Sequence, residues 1–263
     1  MSRDLFTALP SWAVFLGTVA IIAMALELGY RFARWKDTGG NTSEAAGTGI
    51  ATGAILGLVS FLLAFTFGIA ASHFDQRKSV VLNEANAIGT AYLRFDFLDP
   101  EPRREAIALI TEYTEVRLRA ATDYIDEAKF NAVVRRSEDI QSRIWDIVVR
   151  HAKANPSPNS ALLISSVNDI IDIHTERVTR GVRNRIPWAI WASLYLVSSL
   201  GVAAAAYRIS ASSGRRSELL PALTVAFAAV ITLISDLDDP RHGFLKSDQA
   251  AIESALVSMK SRE

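Results

Sequence analysis

Cysteine is absent from the 263 residues. Its absence excludes disulfides, thiolate metal sites and cysteine nucleophiles. There is also no charge bias, since 28 Lys and Arg balance 28 Asp and Glu, and nothing marks nucleic acid as a partner. Catalytic signatures are missing too. His73, His151, His174 and His242 show no ligand spacing with one another. No HExxH pair, P-loop, GxSxG elbow or dinucleotide fingerprint is present, so the chain reads as a non-enzyme. Long polar stretches rich in glycine or proline are likewise lacking, with 14 Gly and 8 Pro in the whole chain.

What the chain has is apolar sequence, half of its composition, gathered in four blocks. "SWAVFLGTVAIIAMALELGY" (11–30) holds one acid, Glu27. The second block, 47–72, and the third, 186–207, hold no charged residue, and the fourth covers 219–235. A bilayer span takes about 20 apolar residues, so the pattern predicts four transmembrane helices. The first block is too long for a signal-peptide core, and "ELGYRFARW" is not a small-residue cleavage site. Four spans place both termini and the long segment 73–185 on one side. Lys and Arg near the span ends show a small excess on that side, which points it to the cytoplasm.

Residues 73–185 read as helical throughout. Asp99 precedes Pro100 and Pro102, an N-cap with proline in the first turn. A helix about 127–154 carries Val133, Ile140, Ile144, Ile147 and Val148 on one side, "NPSPNS" is a turn, and a last helix runs from Ala161 towards Pro187 and the third span. The expected fold is an all-α integral membrane protein. Its four transmembrane helices flank an extramembrane helical domain between spans 2 and 3, and the second and third spans are continuous with helices of that domain. The parts are 1–72 (spans 1 and 2), 73–185 (helical cytosolic domain), 186–235 (spans 3 and 4) and 236–263 (C-terminal segment).

The stretch "FLLAFTFGIAASHFDQRKSVVLNEANAIGTAYLR" (61–94) leaves the membrane without a helix breaker. Leu58, Phe61, Phe65, Gly68, Ser72, Gln76, Ser79, Asn83, Asn86, Thr90 and Arg94 recur at spacings of three or four and hold to one stripe of the helix. The stripe is apolar or small up to Gly68 and polar from Ser72. Its polar part is nearly free of the Lys and Glu that fill ordinary solvated faces. A pore-lining helix fits this pattern: Leu58, Phe61 and Phe65 would form an apolar constriction able to gate by dewetting. Ser72, Gln76, Ser79, Asn83, Asn86, Thr90 and Arg94 would line a wet vestibule. The plain alternative is an amphipathic helix with its polar face in water. The opposite edge, Phe67, Ala71, Phe74, Val81, Ala85, Ile88 and Tyr92, reads as a packing face. Offset from both, Gly49, Gly53 and Gly57 continue through Ser60 and Ala64 as a small-residue ridge for close helix packing.

At 62–94 and at "SDLDDPRHGF" (235–244) the sequence resembles the bacterial DUF4239, or bestrophin-like, membrane proteins. Their hallmarks are a "DEANAIGTAYLR"-like helix, here Asn83–Arg94 with Asn83 in place of a common acid, and an "LDxPxxG" motif, here Leu237–Gly243. A more distant likeness connects that family with bestrophins, which are pentameric anion channels with four spans per subunit and a hydrophobic neck on the second helix. The resemblance implies an oligomeric, pentameric, anion-conducting channel in a bacterial inner membrane, with inorganic ions, lipid and other copies of itself as partners. The alternative is a membrane-anchored helical sensor or scaffold that conducts nothing.

Three smaller features complete the reading. Asp236, Asp238 and Asp239 alternate at the end of the last span, where oxygen ligands could hold calcium. They could equally end the helix, with Asp236 pairing Arg241. Glu27 is a candidate intramembrane acid or the partner of Arg31 at i,i+4. Arg177, Arg180, Arg183 and Arg185 read as a cluster near the membrane surface, for anchoring, headgroup contact or anion attraction.

Overall fold

The structure is a computed structural model, and it describes residues 10–35, 42–120, 127–182, 185–213, 219–239, 245 and 248–262. Eight α-helices follow one another: α1 Ser11–Trp35, α2 Thr42–Arg94, α3 Pro100–Ala120, α4 Glu127–Ala154, α5 Pro158–Val182, α6 Trp188–Ser213, α7 Leu219–Asp238 and α8 Ala250–Lys260. Four of them, α1, α2, α6 and α7, are long and apolar enough to cross a membrane. No strand occurs among the described residues. The chain divides into two compact units, Met1–His73 with Arg185–Leu245 and Phe74–Asn184 with Lys246–Glu263.

In the first unit α1 packs against α6 and α7. Its buried residues Val14, Thr18, Ile22, Ala25 and Gly29 recur every three or four positions and so form one face. A Cβ on Gly29 would lie 2.2 Å from the carbonyl oxygen of Ala203, so only glycine permits that approach of α1 to α6. Gly201 faces α2 closely, with side-chain methyls of Ile55, Leu56 and Val59 lying 3.2–3.4 Å from where its Cβ would stand. The Thr18 and Tyr195 hydroxyls meet at 2.8 Å and satisfy one another inside the apolar packing. Leu16, Met24, Leu28, Leu196, Leu200, Val225 and Leu233 are exposed on the outer faces. Such apolar exposure suits hydrocarbon as solvent.

The second unit is built from α3, α4, α5 and α8 around the part of α2 that follows His73. Ile88, Phe95, Ile110, Tyr113, Ile140, Ile144, Leu163, Val167, Ile170 and Met259 form its core. The turn ahead of α5 is capped as its sequence requires: the Ser157 hydroxyl accepts from the backbone N–H of Ser160 at 3.2 Å, and Pro158 takes the first helical position. The C-terminal segment reaches this core through α8. Ile252 packs on Val81 and Ala85, and the Tyr92 hydroxyl donates to the carbonyl of Met259 at 3.2 Å.

Two expectations are corrected here. The second span runs on as one helix of 53 residues, about 80 Å long, as the unbroken sequence required. The third span does not continue from the helix before it: α5 ends at Val182 and α6 starts at Trp188, with Arg185–Pro187 non-helical. Pro187 explains the break, since proline disfavours helical geometry at the residue before it and lacks an N–H. The second correction concerns Phe67, placed on the packing edge but 39% exposed. In the first unit α2 buries Thr52, Val59, Thr66 and Ala70 instead, an edge rotated from the one read in the second unit.

Candidate functional site

The site begins with α2. In the first unit Leu58, Phe61 and Phe65 are 49%, 65% and 57% exposed, although each is large and apolar. The rings of Phe61 and Phe65 stack, with centroids 6.3 Å apart and planes 13° from parallel. Gly68 and Ser72 are exposed on the same helix. In the second unit Ser79, Asn83, Asn86 and Thr90 are exposed, and Gln76 and Arg94 are half-buried. Gln76 accepts from the Arg180 guanidinium at 3.2 Å, and Arg94 donates to the carbonyl of Leu162 at 2.8 Å. Apart from Gln76 and Arg94, the chain thus leaves uncovered the residues that the periodicity picked out. The expected packing residues Val81, Ala85, Ile88 and Tyr92 are buried.

The glycine ridge splits. Gly53 and Gly57 have nothing within 4 Å of a built Cβ, whereas Gly49 lies against the guanidinium of Arg208. Within the chain the close helix approaches fall at Gly29 and Gly201. A leucine at Gly57 should therefore leave the fold of one chain intact and act only on assembly, while Gly29→Ala should lower the yield of folded protein. Size-exclusion chromatography of both variants checks this. A Gly57→Leu protein of unchanged oligomer size would place that part of the ridge against lipid.

Behind the exposed amides of the second unit lies a site that sequence reading missed. Glu84 is fully buried on α2. It accepts from Arg117 Nε at 2.7 Å, from the Tyr113 hydroxyl at 2.9 Å and from Arg177 Nη1. Arg177 also donates to the side-chain amide oxygen of Gln249 at 2.7 Å. Gln141 donates to the Tyr113 oxygen at 3.4 Å. A buried carboxylate is tolerable only with such pairing. Burial pushes the Tyr113 hydroxyl well above its ordinary range, and the Glu84 charge adds to this. Arg177 is thereby removed from the expected surface cluster. Arg180 pairs with Glu176 at 2.9 Å and Arg185 with Asp239 at 3.0 Å, while Arg183 lies outside the described residues.

His174 sits beside this group. Its ring is 6.4 Å from that of Tyr113, and neither ring nitrogen has a hydrogen-bond partner. Burial, reinforced by Arg117 and Arg177 against the opposing pull of Glu84, pushes its pKa down from 6.5 to about 4. The neutral ring belongs to the folded state, so the unfolded chain takes up the proton first as pH falls. Stability should drop between about pH 6.5 and pH 4, by up to about 3 kcal/mol, with the loss complete below that window. His174→Phe should flatten the pH dependence of chemical denaturation across that interval, and an unaltered slope would acquit His174.

The aspartates at the end of α7 are engaged by protein donors. Asp236 accepts from the Ser11 hydroxyl at 2.8 Å and from the backbone N–H of Leu245 at 3.0 Å. Asp238 accepts from the backbone N–H of Ile186 at 3.2 Å and stands 3.3 Å from His73 Nδ1. Asp239 holds Arg185. No group of three potential ligands able to hold a metal ion occurs among the described residues. Asp238 instead closes the start of α6 by accepting the N–H that the break before Pro187 leaves open. Arg241, and the Pro240 and Gly243 of the "LDxPxxG" motif, lie outside the described residues. Glu27 pairs with Arg31 at 3.0 Å, the ordinary i,i+4 bridge.

Four apolar helices and a helical unit of this kind define an integral membrane protein. Residues 13–251 match the family model described as Bestrophin-like domain, and the chain belongs to that family. A crystal structure of a bacterial bestrophin homologue from Klebsiella pneumoniae is 14% identical with a TM-score of 0.62, over 94% of this chain and 97% of that one. A mutant of that homologue gives 0.63 at 14% identity, over 95% and 98%. A crystal structure described as a membrane protein mutant gives the same 0.63 and 14%, over 95% and 98%. At this identity the likeness is one of fold. No curated protein matches the sequence.

Proposed function

We propose that the protein is an oligomeric ion channel of a bacterial inner membrane, selective for anions, with α2 lining the conduction path. The observation that carries this reading is the exposed stripe on α2. A single chain leaves Phe61, Phe65, Asn83, Asn86 and Thr90 uncovered while it buries Val81, Ala85 and Ile88. Stacked phenyl rings at membrane depth, repeated by each subunit, supply an apolar constriction. Uncharged amides and hydroxyls past the membrane supply a surface that suits both water and ions. Membership in the bestrophin-like family supports conduction and assembly, and the pentamer and the anion preference rest on that kinship.

The test is flux from proteoliposomes holding the purified protein, with a chloride gradient and then with a potassium gradient. Chloride flux above that of empty vesicles, with little potassium flux, is the expected result. No flux of either ion, in wild type or with the constriction widened, would leave a helical sensor or scaffold as the reading. Orientation has its own check. The small Lys and Arg excess favours a cytoplasmic side for residues 73–185, so a reporter fused after Pro156 should be active only if it works in the cytoplasm. Activity of a periplasm-dependent reporter there would reverse the topology.

A further inference from the structure

The first unit carries an apolar groove that conduction does not use. It has a volume of 540 Å³, and its walls include Leu28, Phe32, Thr52, Ile55, Leu200 and Ala203. From Leu200 to Tyr207 it follows α6 for roughly 10 Å. The small residues Gly29, Ala51 and Ala203 give it depth. One end lies close to a membrane boundary, because the spans end at Trp35 and Ala211 and begin at Gly49. That end is aromatic and cationic. Phe32 contacts both Trp35 and Tyr207, with ring centroids 6.1 and 5.9 Å apart. Aromatic rings of this kind collect at headgroup depth. Arg208 follows Tyr207, is exposed, and lays its guanidinium against Gly49, one turn of α2 beyond Thr52.

We propose that this groove is a binding site for an anionic phospholipid, with one acyl chain along Ile55 and Leu200 and the phosphate on Arg208. The charges favour this occupant. Arg208 makes no ion pair among the described residues, and Arg31, which pairs with Glu27, and Arg34 stand at the same end of α1. A second copy of the chain is the poorer occupant. The stretch 49–72 that its α2 would present has no acid to meet Arg208, and a guanidinium buried there unpaired is costly. A phosphate meets both demands, since it accepts from the guanidinium in a bidentate manner and leaves the chain in hydrocarbon. The proposal stands whether or not the protein conducts ions.

The test is native mass spectrometry of the full-length protein in mild detergent, titrated with phosphatidylglycerol and with phosphatidylcholine of the same chains. Wild type should retain phosphatidylglycerol about fivefold more strongly, the contribution of one basic residue at a membrane surface. Arg208→Gln should erase that preference. Ala51→Phe, a change at an exposed lining position, should lower retention of both lipids by filling the groove. Equal retention of the two lipids by wild type, an undiminished preference in Arg208→Gln, or undiminished binding in Ala51→Phe overturns the proposal. So does crosslinking between chains through Ala51→Cys, which would put a second copy in the groove.

Discussion

Loss of the Glu84 carboxylate should cost the helical unit about 3–5 kcal/mol, because it removes the one carboxylate on which two buried guanidiniums converge. Arg117 and Arg177 are 1% and 6% exposed and both converge on Glu84, and the Tyr113 hydroxyl loses its acceptor at the same time. Glu84→Ala should therefore move the denaturation midpoint of the detergent-solubilised protein by a large margin. Arg117→Met alone should cost a comparable amount, by stranding Glu84 in part. The combined replacement of Glu84, Arg117 and Arg177 by methionine should cost less than either single change, since the penalty comes from unbalanced charge and methionine fills similar volume without any. A cost below about 1 kcal/mol for Glu84→Ala would mean that the cluster is hydrated and the pairing weak.

Widening the proposed constriction should produce the other large effect. Phe65→Ala should raise ion flux in liposomes about tenfold or more, equivalent to about 1.4 kcal/mol off the barrier. Phe65→Ser should raise it at least as much, since the hydroxyl also holds water in the narrow ring. Ile88, buried in the second unit, provides the contrast: Ile88→Ala should cost about 2–5 kcal/mol of stability without opening a leak. The absence of native cysteine makes single-cysteine labelling clean. Ser72→Cys, Ser79→Cys and Asn83→Cys should react with water-soluble thiol reagents, whereas Val81→Cys and Ile88→Cys should not. Flux unchanged by either Phe65 variant would remove this residue from the conduction path.

The spans and the exposed stripe were legible because both are periodic. An apolar run of membrane length and a three-or-four spacing survive any detail of packing, and so Phe61, Phe65, Asn83 and Asn86 came out together. The Glu84 cluster was not, because its members are scattered over α2, α3 and α5 and meet only by tertiary packing. A partial signal existed. Val80, Ala87, Ile88 and Ala91 are apolar and surround position 84 on one helical edge. An acid in the middle of such an edge demands a buried cation, though not any particular one. Phe67 was misplaced because a single edge was extrapolated along α2, whereas the neighbours that decide burial differ between the two units. The arginines near 180 were read as a surface patch for the same reason: spacing places Arg177 and Arg180 on one side of α5, but only the fold brings Glu84 to the first of them.

The helical unit closes with a strand of chain that follows the fourth span, since α8 supplies Ile252 and Met259 to its packing and Lys260 to Glu115 at 2.8 Å. Order of synthesis then matters. A ribosome delivers α2 through α5 first, then α6 and α7 to the insertion machinery, and α8 after them. Until α8 emerges, the nascent unit exposes the patch on Val81, Ala85 and Tyr92 that α8 later covers. Completion of this unit is thereby timed to follow membrane insertion, and a stalled or truncated translation product would present a sticky apolar seam to chaperones and proteases.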